Sequence, residues 1–207
     1  MKVRLLFKAL TPGLFILIAT TAFAQNRIIR NDGFYYTFEA NAGYGLTMKS
    51  DYYKVDAGND FTPFNFGAKA TANIFLSTNL SVGAGLGYTE YHDPKMRTIP
   101  LTANIKYFTA KQARSPFIYA DGGYAFRTDA DKQHKGPVYE LGIGYRHRLQ
   151  RRYNFLLFKL GYSYFKTKHW IWDTREGTQW TDRDFQWYYL ERPAVVLSIC
   201  FYHSTRF

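Results

Sequence analysis

The chain has 207 residues, room for one domain or two small ones, and a formal charge of +11. With 46% apolar and 19% aromatic residues it can bury ample apolar surface, which excludes disorder for most of its length. A mean hydropathy of −0.34 speaks against a bundle of membrane helices, and the single cysteine, Cys200, excludes an internal disulfide and any multi-cysteine metal site.

The first 24 residues read as a cleaved secretory signal peptide. Lys2, Arg4 and Lys8 precede the apolar run Leu14–Ala19, and Ala22-Phe23-Ala24 gives a small-x-small cleavage pattern before Gln25. The run is too short for the ~20 residues that a spanning helix needs. Gln25, in place of a cysteine, argues against a lipid anchor. Removing these residues, with their three bases and no acid, leaves 183 residues at +8. In an exported chain that excess is a poor match to nucleic acid. It suits anionic lipid, lipopolysaccharide or another envelope polymer. Residues 25–32 are then a short N-terminal segment and 33–207 the folded domain.

From there the dominant signal has period two, in blocks of about ten residues. Tyr36 to Leu46, Phe64 to Leu76, Leu80 to Tyr88 and Ile99 to Tyr107 each alternate apolar with small or polar residues. Ile118 to Phe126, Tyr139 to Tyr145, Leu156 to Tyr164 and Val195 to Phe201 repeat the pattern, for eight expected strands. The connections alternate in length. Residues 47–63, 89–98, 128–137 and 166–187 are expected as the longer loops; 77–79, 109–115 and 150–152 are short. An up-and-down meander puts all the long loops at one end, as in barrels with short periplasmic turns and longer external loops.

A soluble sandwich or barrel also alternates, so the content of the second face decides. It holds Gly, Ser, Thr and Asn with single charges near mid-strand: Glu39, Lys69, Lys106, Asp121, Glu140, Arg146 and Lys159. Small residues with a few opposed charges suit the narrow interior of an eight-stranded barrel. On the apolar face, Tyr and Phe gather at the strand ends around shorter aliphatics, like the two girdles that flank a membrane barrel's ~25 Å apolar band. The expected fold is an all-β, eight-stranded antiparallel up-and-down transmembrane β-barrel. The final alternating strand, Val195 to the terminal Phe207, resembles the signal read by the barrel-assembly machinery, although His203 and Thr205 weaken the match. On these features the chain resembles the small outer-membrane barrels of the OmpA and OmpX type, and most of all the outer-membrane β-barrel domain proteins of Bacteroidota. The stretch Ile99-Pro100-Leu101-Thr102-Ala103-Asn104-Ile105-Lys106-Tyr107 is similar to a strand often seen there. The resemblance implies a fold and an outer-membrane location rather than an activity.

Four groups of residues could carry chemistry. The seven interior charges, three acids and four bases, must pair if buried; they form either a plug or a gated ion path. On the simplest placement Glu39, Lys106, Asp121, Arg146 and Lys159 lie at similar low heights, with Lys69 nearer the middle. His203-Ser204 is similar to the pair of an outer-membrane lipid A deacylase, but neighbours on a strand face opposite ways and no acid follows them. His92, His134 and His169 fall on expected external loops without ligand spacing, so no metal and no cofactor is expected. The segment 166–187 holds all four tryptophans, Trp170, Trp172, Trp180 and Trp187, as interface anchors or contacts for an envelope partner. The leading expectation is a non-enzymatic barrel with a plugged lumen. A narrow channel comes second and a lipid-modifying enzyme third.

Overall fold

The computed structural model describes residues 31–50, 54–56, 63–93, 95–128, 134–149, 154–172 and 185–204. The expected leader and the terminal Phe207 lie outside them. Among the described residues ten strands follow one another: β1 (Phe34–Gly45), β2 (Thr47–Ser50), β3 (Lys54–Asp56), β4 (Phe64–Phe75), β5 (Leu80–Tyr91), β6 (Met96–Phe108), β7 (Ser115–Arg127), β8 (Lys135–Arg148), β9 (Asn154–Trp172) and β10 (Phe185–Ser204). Eight of them pair antiparallel in the order β1-β4-β5-β6-β7-β8-β9-β10. The sheet closes where β10 returns to β1, from Tyr35↔Ser204 to Gly45↔Ala194. Closure leaves these eight without a free edge through the body of the barrel.

The period-two pattern sets which side chains point out. Along β8, Tyr139, Leu141 and Ile143 are exposed and Glu140 turns inward; Leu141 keeps 59% of its surface. The same parity leaves Leu101, Ile105, Phe158, Leu160 and Leu197 exposed, the last at 62%. The outside of the molecule is therefore its apolar side. Pro100 lies within β6 and has no N–H to give. The β5–β6 ladder breaks beside it, between Leu86↔Leu101 and Thr89↔Thr98, yet resumes in the same register.

We call the end that carries residues 46–63, 128–134 and 173–184 the outer end, and the opposite end the inner end. At the inner end, residues 76–79 form a tight turn. Leu76 N–H donates to Leu80 O at 2.9 Å, and Leu80 N–H donates to Ser77 Oγ at 3.1 Å. Three expected connections differ from what is found. Residues 47–63 are not wholly loop, because β2 and β3 form a short hairpin there. β2 pairs with β10 at Leu190 and Glu191, an edge that the closing seam leaves open above Ala194. Residues 89–98 are not a medium loop either. β5 runs to Tyr91 and β6 starts at Met96, leaving a four-residue turn. The long segment 166–187 also shortens, since β9 and β10 stay paired up to Trp172↔Phe185.

Candidate functional site: the barrel interior

Five charged side chains from five strands meet at mid-height. Lys159 on β9 donates to both oxygens of Glu39 on β1, at 3.1 and 3.0 Å. Its ammonium also lies 3.6 Å from Asp121 Oδ2 and 3.4 Å from Glu140 Oε1. Lys69 on β4 donates to Asp121 Oδ2 at 2.6 Å and lies 3.9 Å from Glu39 Oε2. These groups are out of solvent; the side chains of Lys159 and Glu39 keep 1% and 3% of their surface. Charges so far from water persist only when paired and hydrogen-bonded, and each has at least one opposite partner within 4 Å.

Tyr119 on β7 completes the cluster. Its hydroxyl donates to Glu140 Oε1 at 2.6 Å, and the Lys159 ammonium sits 4.1 Å from its ring centre. The ring needs room, and two glycines provide it. A Cβ on Gly142 would meet Tyr119 Cε1 at 2.8 Å, and one on Gly161 would strike the Tyr119 hydroxyl. The Cys200 thiol, 2% exposed, donates to Glu39 Oε2 at 3.4 Å.

Two of the seven expected charges stand apart. Lys106 lies below the cluster and donates to Asn73 Oδ1 at 2.8 Å and Asn104 Oδ1 at 2.7 Å, with no carboxylate bonded to it among the described residues. Arg146 is not in the network at all. It is fully buried at the inner end, where its guanidinium lies 4.6 Å from the Phe108 ring centre and 5.4 Å from that of Phe155. It donates to Asn31 Oδ1 at 2.8 Å and to Gln112 O at 2.6 Å. Asn31 in turn donates to Thr78 O at 2.7 Å, so the chain entering β1 is tied across the inner mouth. The expected heights are corrected with this. Lys69 lies 3.9 Å from Glu39 and 2.6 Å from Asp121 and so belongs to the same layer, whereas Arg146 stands apart from it at the inner end. The error arises because the strands are staggered around the barrel, so distance from a strand's end does not measure height.

Apolar caps lie on both sides of the charges, a feature that apolar–polar alternation alone does not reveal. Tyr35, Phe75, Phe108, Phe117, Phe155 and Tyr202 fill the inner end; Tyr35 stacks on Tyr202 at 4.3 Å between ring centres. Met48, Tyr91, Met96, Phe165 and Leu190 fill the outer end, with Tyr91 stacked on Phe165 at 5.3 Å and Arg192 4.8 Å above the Tyr91 ring. A readable signal was present: Phe117 and Tyr119 share the parity of Asp121, and Phe155 and Leu157 that of Lys159. Met48 had no such signal, because β2 folds in from outside the barrel. Between the outer cap and the ion pairs a cavity of about 60 Å³ remains, with Lys69, Thr102, Asp121, Glu140 and Arg192 in its wall. The charged and hydroxyl groups in its wall would give a water there partners to bond.

His203 and Ser204 face opposite sides of β10. His203 is exposed and its Nδ1 lies 2.8 Å from Asn154 Oδ1, whereas Ser204 turns inward. Among the described residues no three His, Cys, Asp or Glu side chains are grouped to hold a metal. Trp170 and Trp172 are carried on β9 and Trp187 on β10, where Trp170 and Trp187 are register partners; they lie on strands rather than in a loop. Trp180 lies outside the described residues.

No family model matches the chain, and no curated protein is similar to it. Solved structures of similar shape exist. The outer membrane protein OprG from Pseudomonas aeruginosa is 13% identical, with a TM-score of 0.47 over 86% of this chain and 100% of that one. Neisserial surface protein A is 14% identical, with a TM-score of 0.43 over 79% and 95%. The N-terminal β-barrel domain of Pseudomonas aeruginosa OprF is 14% identical, with a TM-score of 0.42 over 81% and 96%.

Proposed function

We propose that this chain is an integral outer-membrane β-barrel without enzymatic activity, whose sealed interior stiffens it and whose outer hairpins face an envelope partner. The observation that carries this reading is the sealed charge layer. Three acids and three lysines sit between two apolar caps, inside a wall whose outer face is apolar. A monomeric soluble protein does not expose a continuous apolar surface of this extent. Lipid accepts such a face, and a closed barrel satisfies every strand within it. Secretion by the 1–24 leader, membership of the Bacteroidota barrel proteins and insertion by the assembly machinery through the strand ending in Phe207 belong to the same proposal. Outer-membrane lipid and lipopolysaccharide are the neighbours it requires.

The polar cavity above the ion pairs supports a second reading, a narrow channel that opens when the outer cap moves. Conductance separates the two. The refolded protein in a planar bilayer, beside Lys106→Ala combined with Lys159→Ala, is expected to show no steady current, because both caps remain. Steady current in the native chain that changes in the double variant would make the interior a gate and replace the sealed-barrel reading.

A further inference from the structure

The outward face is uneven, and its thinnest part forms a groove. One register row runs Tyr36–Ala72–Ala84–Ala103–Gly122–Tyr139, so four neighbouring strands carry Ala or Gly side by side in register. Over β5–β7 this row opens into a groove of about 460 Å³, with Ala84, Ala103 and Gly122 as its floor and Leu101, Tyr124 and Phe126 as walls. The fold does not require the glycine here. A Cβ on Gly122 would only touch Tyr139 Cδ1 at 3.7 Å, whereas Cβ atoms on the interior glycines of β5 and β8 would strike neighbouring atoms. From Gly122 to Phe126 the groove runs four residues, ~13 Å of strand, which at the ~35–45° tilt of such strands is about 10 Å of height, under half of a membrane barrel's ~25 Å apolar band. It is short enough to fit within one leaflet, on the side of the outer end, where Phe126 and Lys135 lie. At its outer rim stands Lys135, exposed and the register partner of Phe126. The nearby Arg97 is engaged by Glu90 at 3.5 Å.

We propose that this groove is a lipid site that takes one acyl chain of a phosphorylated glycolipid of the outer leaflet, with Lys135 on the phosphate. An acyl chain fits because the floor is smooth and the groove lies within the depth of a leaflet. A phosphate fits because the rim cation sits where head groups lie, and a basic side chain at an anionic lipid surface strengthens binding severalfold. The inference rests on the membrane reading above.

The test is native mass spectrometry of the refolded chain with added lipid A, with the same lipid A stripped of its phosphates, and with phosphatidylcholine. The native chain is expected to retain phosphorylated lipid A about fivefold more than the stripped form. Lys135→Ala is expected to abolish that preference, and Gly122→Leu to remove retention of both forms. Equal retention of all three lipids by the native chain, or retention unchanged in both variants, overturns the proposal. A dimer in the native chain that Gly122→Leu dissociates overturns it too, assigning the thin face to a second copy. Circular dichroism and heat-shifted gel mobility are read on every variant. A chain that never forms a barrel in detergent overturns the membrane reading and, with it, the lipid site.

Discussion

Lys159 has more opposite charges around it than any other side chain in the interior, with Glu39, Asp121 and Glu140 all within 3.6 Å. Truncation leaves those carboxylates facing one another with only Lys69 between them. Removing one partner of a buried pair costs about 3–5 kcal/mol, mainly because the remaining charge is stranded. Lys159→Ala is expected to lower stability by about that amount in urea unfolding from detergent micelles. Lys106→Ala should cost less, since Lys106 is held by two asparagine oxygens and strands no carboxylate bonded to it. Equal losses in the two variants would show that burial of any lysine, rather than the pairing, sets the cost.

Single strands carry the distinction between wet and dry faces, and β8 states it most sharply. Leu141 and Glu140 are chain neighbours on opposite sides of the wall. Arginine on a lipid-facing position near the bilayer midplane destabilises a barrel by ~2–4 kcal/mol, and by little near the interface. Leu141→Arg is expected to show the larger loss in phosphatidylcholine vesicles, and Tyr139→Arg, closer to the outer edge, a smaller one. No loss at either position would mean that this face meets water. At this scale the sequence was readable where alternation is strict: all eight barrel strands, the inward Glu140 and the outward Leu141 follow from parity. It was not readable where contacts cross the barrel. That Arg146 finds rings of β6 and β9 instead of an acid depends on the stagger between strands, which no single strand's pattern encodes. The β2–β3 hairpin was hidden for a similar reason. Its strands of four and three residues are too short to show a period, and they exist because β10 offers an unpaired edge.

Across the whole molecule, charge, caps and wall act together. The ion pairs join β1, β4, β7, β8 and β9, so they brace the barrel across its diameter as well as along its hydrogen-bonded circumference. The apolar side chains on both sides of the charges offer them no polar partners and deepen the penalty for an unmatched charge. This explains why so few charged residues suffice to fix the arrangement.

The sequential placement of these charges also bears on how the barrel is assembled. The contact between Glu39 and Lys159 joins residues 120 apart and is completed only when the last strands arrive. Adding strands in chain order brings Glu39 with β1, Lys69 with β4, Lys106 with β6, Asp121 with β7, Glu140 with β8 and Lys159 with β9. Counting these six side chains alone, apart from the buried arginines Arg127, Arg146 and Arg192, the accumulated charge runs −1, 0, +1, 0, −1, 0, so the six never leave more than one uncompensated unit among themselves. Exchanging the two ends, Glu39→Lys with Lys159→Glu, keeps the final sum of these six at zero but lets it climb to +3 before β7 arrives. That variant is expected to enter vesicles more slowly than the native chain, by a larger factor than its change in final stability accounts for. Insertion rates that merely follow stability would mean that the strands are laid down together rather than one after another. The order of charges along this chain is thus an instruction about the path to the closed wall, separate from the balance found once it has closed.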